Sequence, residues 1–144
     1  MMTYIQSSGG GTSGVSIVNL TTESTGTHVI GSTTAGDTAI ADTAPRAYFG
    51  YDTYAWVLPA LSSVSEGLKI TITNVCKYKG TTYNAEVLSS IAAHSGDYIQ
   101  QSYAEDGDLG YTEIELPNFW DTITLLVATA TFNSTNHYKT WVIL

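Results

Sequence analysis

Residues 56–74 read WVLPALSSVSEGLKITITN and join an apolar run, a short polar turn and a strictly alternating segment. Pro59 fixes its own φ and has no N–H to donate, so the hydrogen bonding between strands ends at this residue. Gly67 can adopt the positive φ that a tight re-entry into a strand often needs. From residue 68 to residue 73, apolar residues alternate with Lys and Thr, the period of two that is typical of a half-buried β-strand. The stretch therefore predicts a β-fold, and it indicates no chemistry.

The rest of the chain shows similar short runs and no long 3.6-residue apolar period. The runs recur about every eight to twelve residues with turn residues between them, which is typical of a sandwich, jelly roll or barrel. We predict strands at 15–20, 27–30, 38–41, 47–51, 54–58, 68–75, 83–88, 98–103, 111–116, 123–132 and 138–144, with a single helical turn at 89–93. The predicted fold class is all-β, with one antiparallel, jelly-roll-like sandwich domain over residues 15–144.

The beginning of the chain differs in composition from this domain. Residues 7–14, Ser-Ser-Gly-Gly-Gly-Thr-Ser-Gly, have the composition of a flexible linker. We therefore expect residues 1–14 to form a short flexible N-terminal arm outside the core. Two interpretations stay open for it: a frayed terminus, or an arm that docks onto a neighbouring subunit.

Composition and charge limit the classes of partner. The 144-residue chain has 43% hydrophobic residues, which fits one globular domain with its own core. Charged residues make up 12%, about half the usual share, and Thr, Ser and Gly take their place. The formal net charge of −8 repels phosphate backbones and anionic lipids. Nucleic acid and membranes are therefore disfavoured as partners.

No targeting signal is apparent in the sequence. The first residues show no basic region followed by an apolar one, and no apolar run reaches the ~18 residues of a membrane span. We expect a soluble protein made in the cytoplasm, which would reach the outside of a cell by another route, such as on a particle. The single cysteine, Cys76, excludes an intrachain disulfide, and we expect it to be a small buried apolar side chain rather than a nucleophile.

The end of the chain adds a second recognisable pattern, with ITLLV at 123–127, a polar loop at 133–136 and YKTWVIL at 138–144. Together with the Leu-Pro, Gly and Ile-Thr-Ile-Thr-Asn order of residues 58–74, it resembles a β-module of tailed-bacteriophage fibres, tailspikes and other particle-surface proteins. The resemblance covers residues 56–144, with a longer middle at 77–110. It implies a β-sandwich or jelly roll, often a homotrimer, with a structural or binding role and no catalysis.

Two departures from that family narrow the expected function. The chain is short and begins with its own Met1, and it lacks the long shaft repeats of a fibre protein. We therefore expect a stand-alone virion protein: a homotrimeric capsid decoration, or cement, protein bound to the major capsid protein. The alternative is a receptor-binding tail-fibre or tailspike module that recognises a host surface glycan.

Patterns for catalysis or metal binding are weak. The acidic run Glu105, Asp106 and Asp108 could bind Ca²⁺, but it lacks the EF-hand spacing and is more simply interpreted as a solvated loop. The three histidines show neither HxH nor HxxxH spacing. No G-x-S-x-G turn marks a nucleophile. We therefore expect no enzymatic activity, no metal and no cofactor.

The aromatic residues are the best candidates for a contact surface. Exposed Tyr and Trp offer a large rigid area with a polar handle, which suits sugar stacking and protein interfaces. Trp56 and Trp141 lie in apolar strands, so we expect them in the core or at a subunit interface. The predicted partner or glycan contacts are Tyr51, Tyr54, Phe119 and Trp120.

Overall fold

The computed structural model describes residues 14–21, 25–79, 82–83, 87–100, 110–131 and 137–144. The N-terminal arm, apart from Gly14, and the acidic run at 105–108 fall outside these ranges, as do residues 84–86, 101–103 and 132 of the predicted strands. All of these stay predictions. Across the described ranges, no helix has the length and apolar character needed to cross a bilayer.

Regular structure in these ranges is β, apart from a short 3₁₀ turn at Leu61–Ser63. The strands are β1 (Ser16–Asn19), β2 (Thr27–Val29), β3 (Arg46–Phe49), β4 (Ala55–Val57), β5 (Lys69–Thr73), β6 (Tyr78–Lys79), β7 (Thr82–Tyr83), β8 (Ser89–Ala92), β9 (Ile99–Gln100), β10 (Glu113–Leu116), β11 (Thr122–Thr131) and β12 (His137–Ile143). The predicted all-β class is confirmed.

Two sheets form the body of the domain. The larger has six strands in the order β1-β3-β5-β11-β12-β9, and the smaller has four in the order β10-β8-β4-β2. β6 and β7 pair separately as a two-stranded hairpin. The inner faces of the two sheets supply one buried cluster, which includes Trp56 from the smaller sheet and Ile70 and Trp141 from the larger. The predicted sandwich is therefore what the chain forms.

Strand direction differs from the antiparallel arrangement that we predicted. β1, β3 and β5 lie in the larger sheet, while β2 and β4 lie in the smaller, so the chain changes sheet at each step. Two changes of sheet reverse the chain direction twice, and strands two apart in sequence therefore pair in parallel, as β1–β3, β3–β5 and β2–β4 do. β4–β8 and β9–β12 are also parallel. The antiparallel prediction is corrected to two mixed sheets, and the jelly-roll connectivity is not confirmed.

Two local predictions were wrong. Residues 89–93 were predicted as a helical turn, but Ser89–Ala92 is β8, which pairs with β4 on one side and β10 on the other. A four-residue run is too short for its periodicity to separate a turn from a strand. The predicted strand at 38–41 is absent, because the carbonyl oxygens of Thr38 and Ala39 accept hydrogen bonds from Arg46 instead of joining a ladder.

Cys76 is buried, as predicted. Its Sγ lies 3.0 Å from the carbonyl oxygen of Tyr78 and donates to it. Burial is the main cause that raises the pKa of the Cys76 thiol. Because the thiolate is the reactive form, a buried thiol with a raised pKa is a poor nucleophile.

Candidate functional site

A groove of about 750 Å³ lies on the outer face of the larger sheet. Its floor is made by side chains that point away from the core on neighbouring strands: Ile17 on β1, Ala47 and Phe49 on β3, and Thr71 and Thr73 on β5. Alternation along each strand places these residues on the opposite face from the buried core residues. The groove therefore follows directly from the period-two pattern of the sequence.

The threonines of the floor use their hydroxyls on one another. Thr71 Oγ1 lies 2.9 Å from Thr124 Oγ1, and Thr73 Oγ1 lies 3.0 Å from Thr122 Oγ1, so each pair bridges β5 and β11. Cross-strand pairs of this kind stabilise a sheet. Because the threonine hydroxyls are engaged in these pairs, the threonines present mainly their methyl groups to the groove. The surface of the floor is therefore largely apolar.

The rim of the groove carries the aromatic residues. Tyr51, Lys77, Phe119 and Trp120 all line it. The Phe119 and Trp120 rings lie 5.1 Å apart at an angle of 66°, and Lys77 Nζ lies 5.4 Å from the centroid of the Phe119 ring. Trp120 is 52% exposed and Tyr51 is 46% exposed. Three of the four predicted contact residues therefore meet at one place, although no sequence rule required this.

Tyr51 is the first of three tyrosines whose rings contact one another in series. Its ring centroid lies 5.8 Å from that of Tyr78, which lies 5.6 Å from that of Tyr83, with both pairs edge to face. Tyr83 is largely exposed. Such pairs are favourable beyond the area they bury. The rim is therefore extended by rings that hold one another in place.

Tyr54, the fourth predicted contact residue, is not among the residues that line the groove. Its ring packs against Gly26, where an added Cβ would lie 2.0 Å from a ring carbon, and its hydroxyl donates to the carbonyl oxygen of Thr25. Lys79 Nζ lies 5.7 Å from the centroid of the Tyr54 ring. Tyr54 thus supports the turn that leads into β2, and its predicted contact role stays a prediction.

The backbone of Trp120 is in the left-handed region, with a φ of 76°. This conformation costs a non-glycine residue about 1–2 kcal/mol and persists only where the surroundings impose it. Here the N–H of Trp120 donates to the carbonyl oxygen of Asn74 at 2.7 Å. The N–H of Asn118 donates to Asp121 Oδ2, and the N–H of Asp121 donates to the carbonyl oxygen of Asn118. The loop at residues 117–121, the Trp120 loop, is therefore held rigidly with its indole at the rim.

Asn74 is the buried anchor of the Trp120 loop. Its Nδ2 lies 3.0 Å from the carbonyl oxygen of Leu116, 3.2 Å from that of Asn118 and 2.9 Å from that of Val87, and it donates to them. Its Oδ1 accepts from the N–H of Cys76 at 3.1 Å. One side chain at the end of β5 thus connects three segments of the chain.

The strain at Trp120 leads to a testable difference between two variants. We expect Trp120→Gly to be about 1 kcal/mol more stable than Trp120→Ala, because only glycine adopts this φ without steric cost. Urea denaturation of both variants measures the difference. Equal stabilities would mean that the loop relaxes when the indole is removed, and that the remaining contacts do not impose its conformation.

A second feature, which the sequence did not predict, lies inside the sandwich. Asp37 Oδ2 accepts hydrogen bonds from His28 Nε2 at 2.8 Å and from the N–H of Gly31 at 2.7 Å. Asp37 Oδ1 accepts from the Tyr48 hydroxyl at 3.1 Å and from Arg46 Nη1 at 3.2 Å. All four side chains of this polar core cluster, His28, Asp37, Arg46 and Tyr48, are buried.

Burial and hydrogen bonding act in opposite directions on the cluster's carboxylate. Burial alone would raise the pKa of Asp37, but the hydrogen bonds from His28, from the N–H groups of Gly31 and Thr38 and from Tyr48 outweigh it and lower the pKa below 3.8. Burial raises the pKa of the Tyr48 phenol. Because the carboxylate oxygens are already fully hydrogen-bonded, we interpret the cluster as a structural element of the core.

Metal-ligand geometry is absent from the part of the chain that the structure describes: no three His, Cys, Asp or Glu side chains there are placed to share an ion. His28 belongs to the polar core cluster, and His94 is exposed. The acidic run at 105–108 lies outside the described residues.

Comparison of the chain with protein families, curated proteins and solved structures found no match.

Proposed function

We propose that the protein is a non-enzymatic surface protein of a tailed-bacteriophage particle, a homotrimeric capsid decoration protein that docks through the groove onto the major capsid protein. The sequence resemblance supports the particle, and the two-sheet sandwich fits a passive scaffold. The observation that carries the proposal is the open, largely apolar groove with a rigidly held, half-exposed Trp120 at its rim. Rigid aromatic anchors of this kind are typical of the central residues of protein interfaces.

The chemistry of the groove favours a protein partner over a sugar. A sugar site needs polar groups that converge on ligand hydroxyls, as well as a ring to stack on. The threonine hydroxyls of the floor are engaged across the β5–β11 ladder, and among the described lining residues only Lys77 carries a charge. An apolar floor with few charges resembles the buried centre of a protein interface.

Charge distribution makes the groove the suitable side for association. Lys77 lines the groove, and Lys69 lies on the same outward face of β5 as Thr71. Glu113 and Glu115 are exposed on β10, at the edge of the smaller sheet. In a chain of net charge −8, the groove face thus combines apolar area with two lysines, which suits a partner segment that is neutral or acidic.

Co-sedimentation with purified expanded capsids tests the proposal. We expect saturable binding of the wild-type protein and about 30-fold weaker binding of Trp120→Ala, the loss of roughly 2 kcal/mol that is typical of a central interface aromatic. Deletion of residues 1–14 is expected to weaken binding as well. Tyr111→Ala, at a similarly exposed aromatic outside the groove, is the matched control and should bind as the wild type does. Equal binding of Trp120→Ala and the wild type would contradict the proposal.

The homotrimer is a separate part of the proposal. Closed symmetric assemblies present the same surface several times and so strengthen attachment to a symmetric particle. Light scattering should give three times the mass of one chain. A monomer at the concentration used for capsid binding would contradict the proposed homotrimer. The groove would then remain as a single docking site on each chain.

A receptor-binding tail-fibre or tailspike module is the second candidate. It is favoured by one observation: the half-exposed indole of Trp120 lies near a second exposed ring, Tyr51, and the ammonium of Lys77 on the same rim. Stacking of a sugar on such rings is physically reasonable. This candidate predicts adhesion to host cells or to a glycan array, lost in Trp120→Ala, and no saturable binding to capsids.

A further inference from the structure

β1 is the edge strand of the larger sheet next to the groove. Its inner edge is bonded to β3: the N–H of Ser16 donates to the carbonyl oxygen of Pro45 at 3.0 Å, and the N–H of Leu20 donates to that of Phe49 at 2.8 Å. Because N–H directions alternate along a strand, the N–H groups of Ile17 and Asn19 point away from the sheet. Among the described residues, no strand pairs with this outer edge, although just beyond β1 the N–H of Thr21 donates to the carbonyl oxygen of Ala35 at 2.8 Å.

The edge lacks the usual devices that prevent further pairing. Natural edge strands are commonly protected by charged side chains, proline or a bulge. β1 reads Ser-Ile-Val-Asn, with neither charge nor proline, and it pairs with β3 in regular register over its whole length. An additional strand could therefore pair with the four residues of β1, up to the contact between Thr21 and Ala35 that covers the far end of the edge.

The same strand also forms one side of the groove floor. The side chains of Ile17 and Asn19, the two residues whose N–H groups face outward, line the groove beside Phe49. A strand placed beside β1 at the usual spacing of about 4.8 Å would direct every second side chain over this side of the floor. Backbone pairing and apolar contact would therefore be made by one extended segment.

We propose that the partner docks by strand addition: an extended segment of the partner's chain pairs with the outer edge of β1 and places alternate apolar side chains in the groove. This inference rests on the proposed function for the identity of the partner, the major capsid protein. Strand addition takes affinity from main-chain hydrogen bonds and specificity from side-chain pockets. Lys77 at the rim selects a segment that is neutral or carries a carboxylate there.

The outward backbone groups of β1 and the apolar groove beside them both require a polypeptide as the bound partner. The outward N–H and C=O groups of β1 repeat every second residue, a spacing that an extended chain matches along its own backbone. A second copy of this chain would protect the edge without any added partner, which the exchange experiment records.

Amide hydrogen exchange tests the proposal on the full-length wild-type protein. With expanded capsids bound, exchange at Ile17 and Asn19 should slow at least about ten-fold, because their N–H groups become hydrogen-bonded. Unchanged exchange at both residues in a capsid-bound protein would overturn strand addition while leaving the proposed function intact.

Two proline variants provide the matched genetic test. Ile17→Pro removes an outward N–H from β1, and Val29→Pro does the same on β2, the edge strand of the smaller sheet. Proline is tolerated on an edge strand where its missing N–H would face solvent. We expect Ile17→Pro to bind capsids at least about ten-fold more weakly and Val29→Pro to bind as the wild type does. Equal binding by the two folded variants would overturn the proposal, and if Ile17→Pro fails to fold, the exchange measurement decides.

A peptide probe keeps the test independent of the capsid. The probe is acetyl-Val-Thr-Val-Thr-Val-Thr-Asp-amide with alternate amides N-methylated, so that only one of its edges can pair, and the control peptide is N-methylated at every amide. If the protein does not bind capsids, the proposed function fails, and slowed exchange at Ile17 and Asn19 with the probe alone would still support strand addition. No effect of the probe would overturn it. Slow exchange at Ile17 and Asn19 in the protein alone, with neither capsid nor probe, would assign the edge to another copy of this chain and overturn strand addition too.

Discussion

Asp37→Asn is expected to lower the free energy of unfolding by about 3–5 kcal/mol, the range found when one partner of a buried ion pair is removed. The carboxylate is the shared acceptor of the polar core cluster, and the substitution removes its charge and one of its oxygens. The buried Arg46 guanidinium would then keep only its bonds to the carbonyl oxygens of Thr38 and Ala39 and to the Tyr48 hydroxyl. An uncompensated buried charge is the largest single penalty that this core can suffer.

Chemical denaturation measures the effect, with Asp42→Asn as the matched control. Asp42 is exposed, and its side chain only accepts from the N–H of Ala44 in a turn, so its variant should change stability by less than about 0.5 kcal/mol. Similar losses in the two variants would show that the polar core cluster does not stabilise the fold.

The same carboxylate makes a prediction about pH. The pKa of Asp37 is lowered in the folded state, so its contribution to stability is fully present above its unfolded value of 3.8 and is lost as the pH falls through the lower folded value. The wild-type protein should therefore lose more stability than Asp37→Asn as the pH is lowered from about 4 to about 2. Parallel stability curves for the two proteins would contradict this assignment.

Asn74→Ala is expected to lower the free energy of unfolding by about 2–4 kcal/mol and to weaken capsid binding, though less than Trp120→Ala does. Removal of the amide takes the Nδ2 donor away from the buried carbonyl oxygens of Val87 and Leu116 and leaves the N–H of Cys76 without its acceptor. The Trp120 loop would also lose the bond from this amide to the carbonyl oxygen of Asn118 and would be held to residue 74 by backbone bonds alone.

Two variants separate the causes of this loss. Asn118→Ala is the matched control within the loop, because Asn118 is exposed and contributes to the described network through its backbone. It should keep stability within about 0.5 kcal/mol and binding near wild type. Asn74→Asp keeps the shape and the acceptor but loses the donor, so it should resemble Asn74→Ala. Wild-type binding by a folded Asn74→Ala would contradict the assigned role of Asn74 in positioning the loop.

Most strands could be predicted from sequence, because alternation reports which face of a strand is buried. The run at residues 68–73 became β5 at Lys69–Thr73, and the last two strands lie where ITLLV and YKTWVIL placed them. The parallel pairing could not be predicted, because periodicity describes a strand's faces and says nothing about its neighbours. The alternation of β1 to β5 between sheets depends on long-range packing that local pattern does not encode.

The candidate site was predictable only in part. Trp120 was among the predicted contact residues, but its position on the same rim as Tyr51 depends on tertiary structure. Asn74 had one usable signal, a polar amide that directly follows an alternating strand. Arg46 had another: it is one of only five Lys and Arg residues and lies two positions from Tyr48, so alternation could have placed both on the inner face. His28 and Asp37 gave no local signal, because their partners are distant in sequence.

Photo-crosslinking from the groove shows whether this surface contacts the major capsid protein. Benzoylphenylalanine replaces Tyr51 on the rim in one protein and Tyr111 outside the groove in another; these tyrosines are 46% and 48% exposed, respectively. On irradiation with expanded capsids, we expect position 51 to crosslink to the major capsid protein and position 111 not to crosslink. Crosslinking from position 111 alone, or from neither position while the protein sediments with capsids, would contradict the proposed docking through the groove.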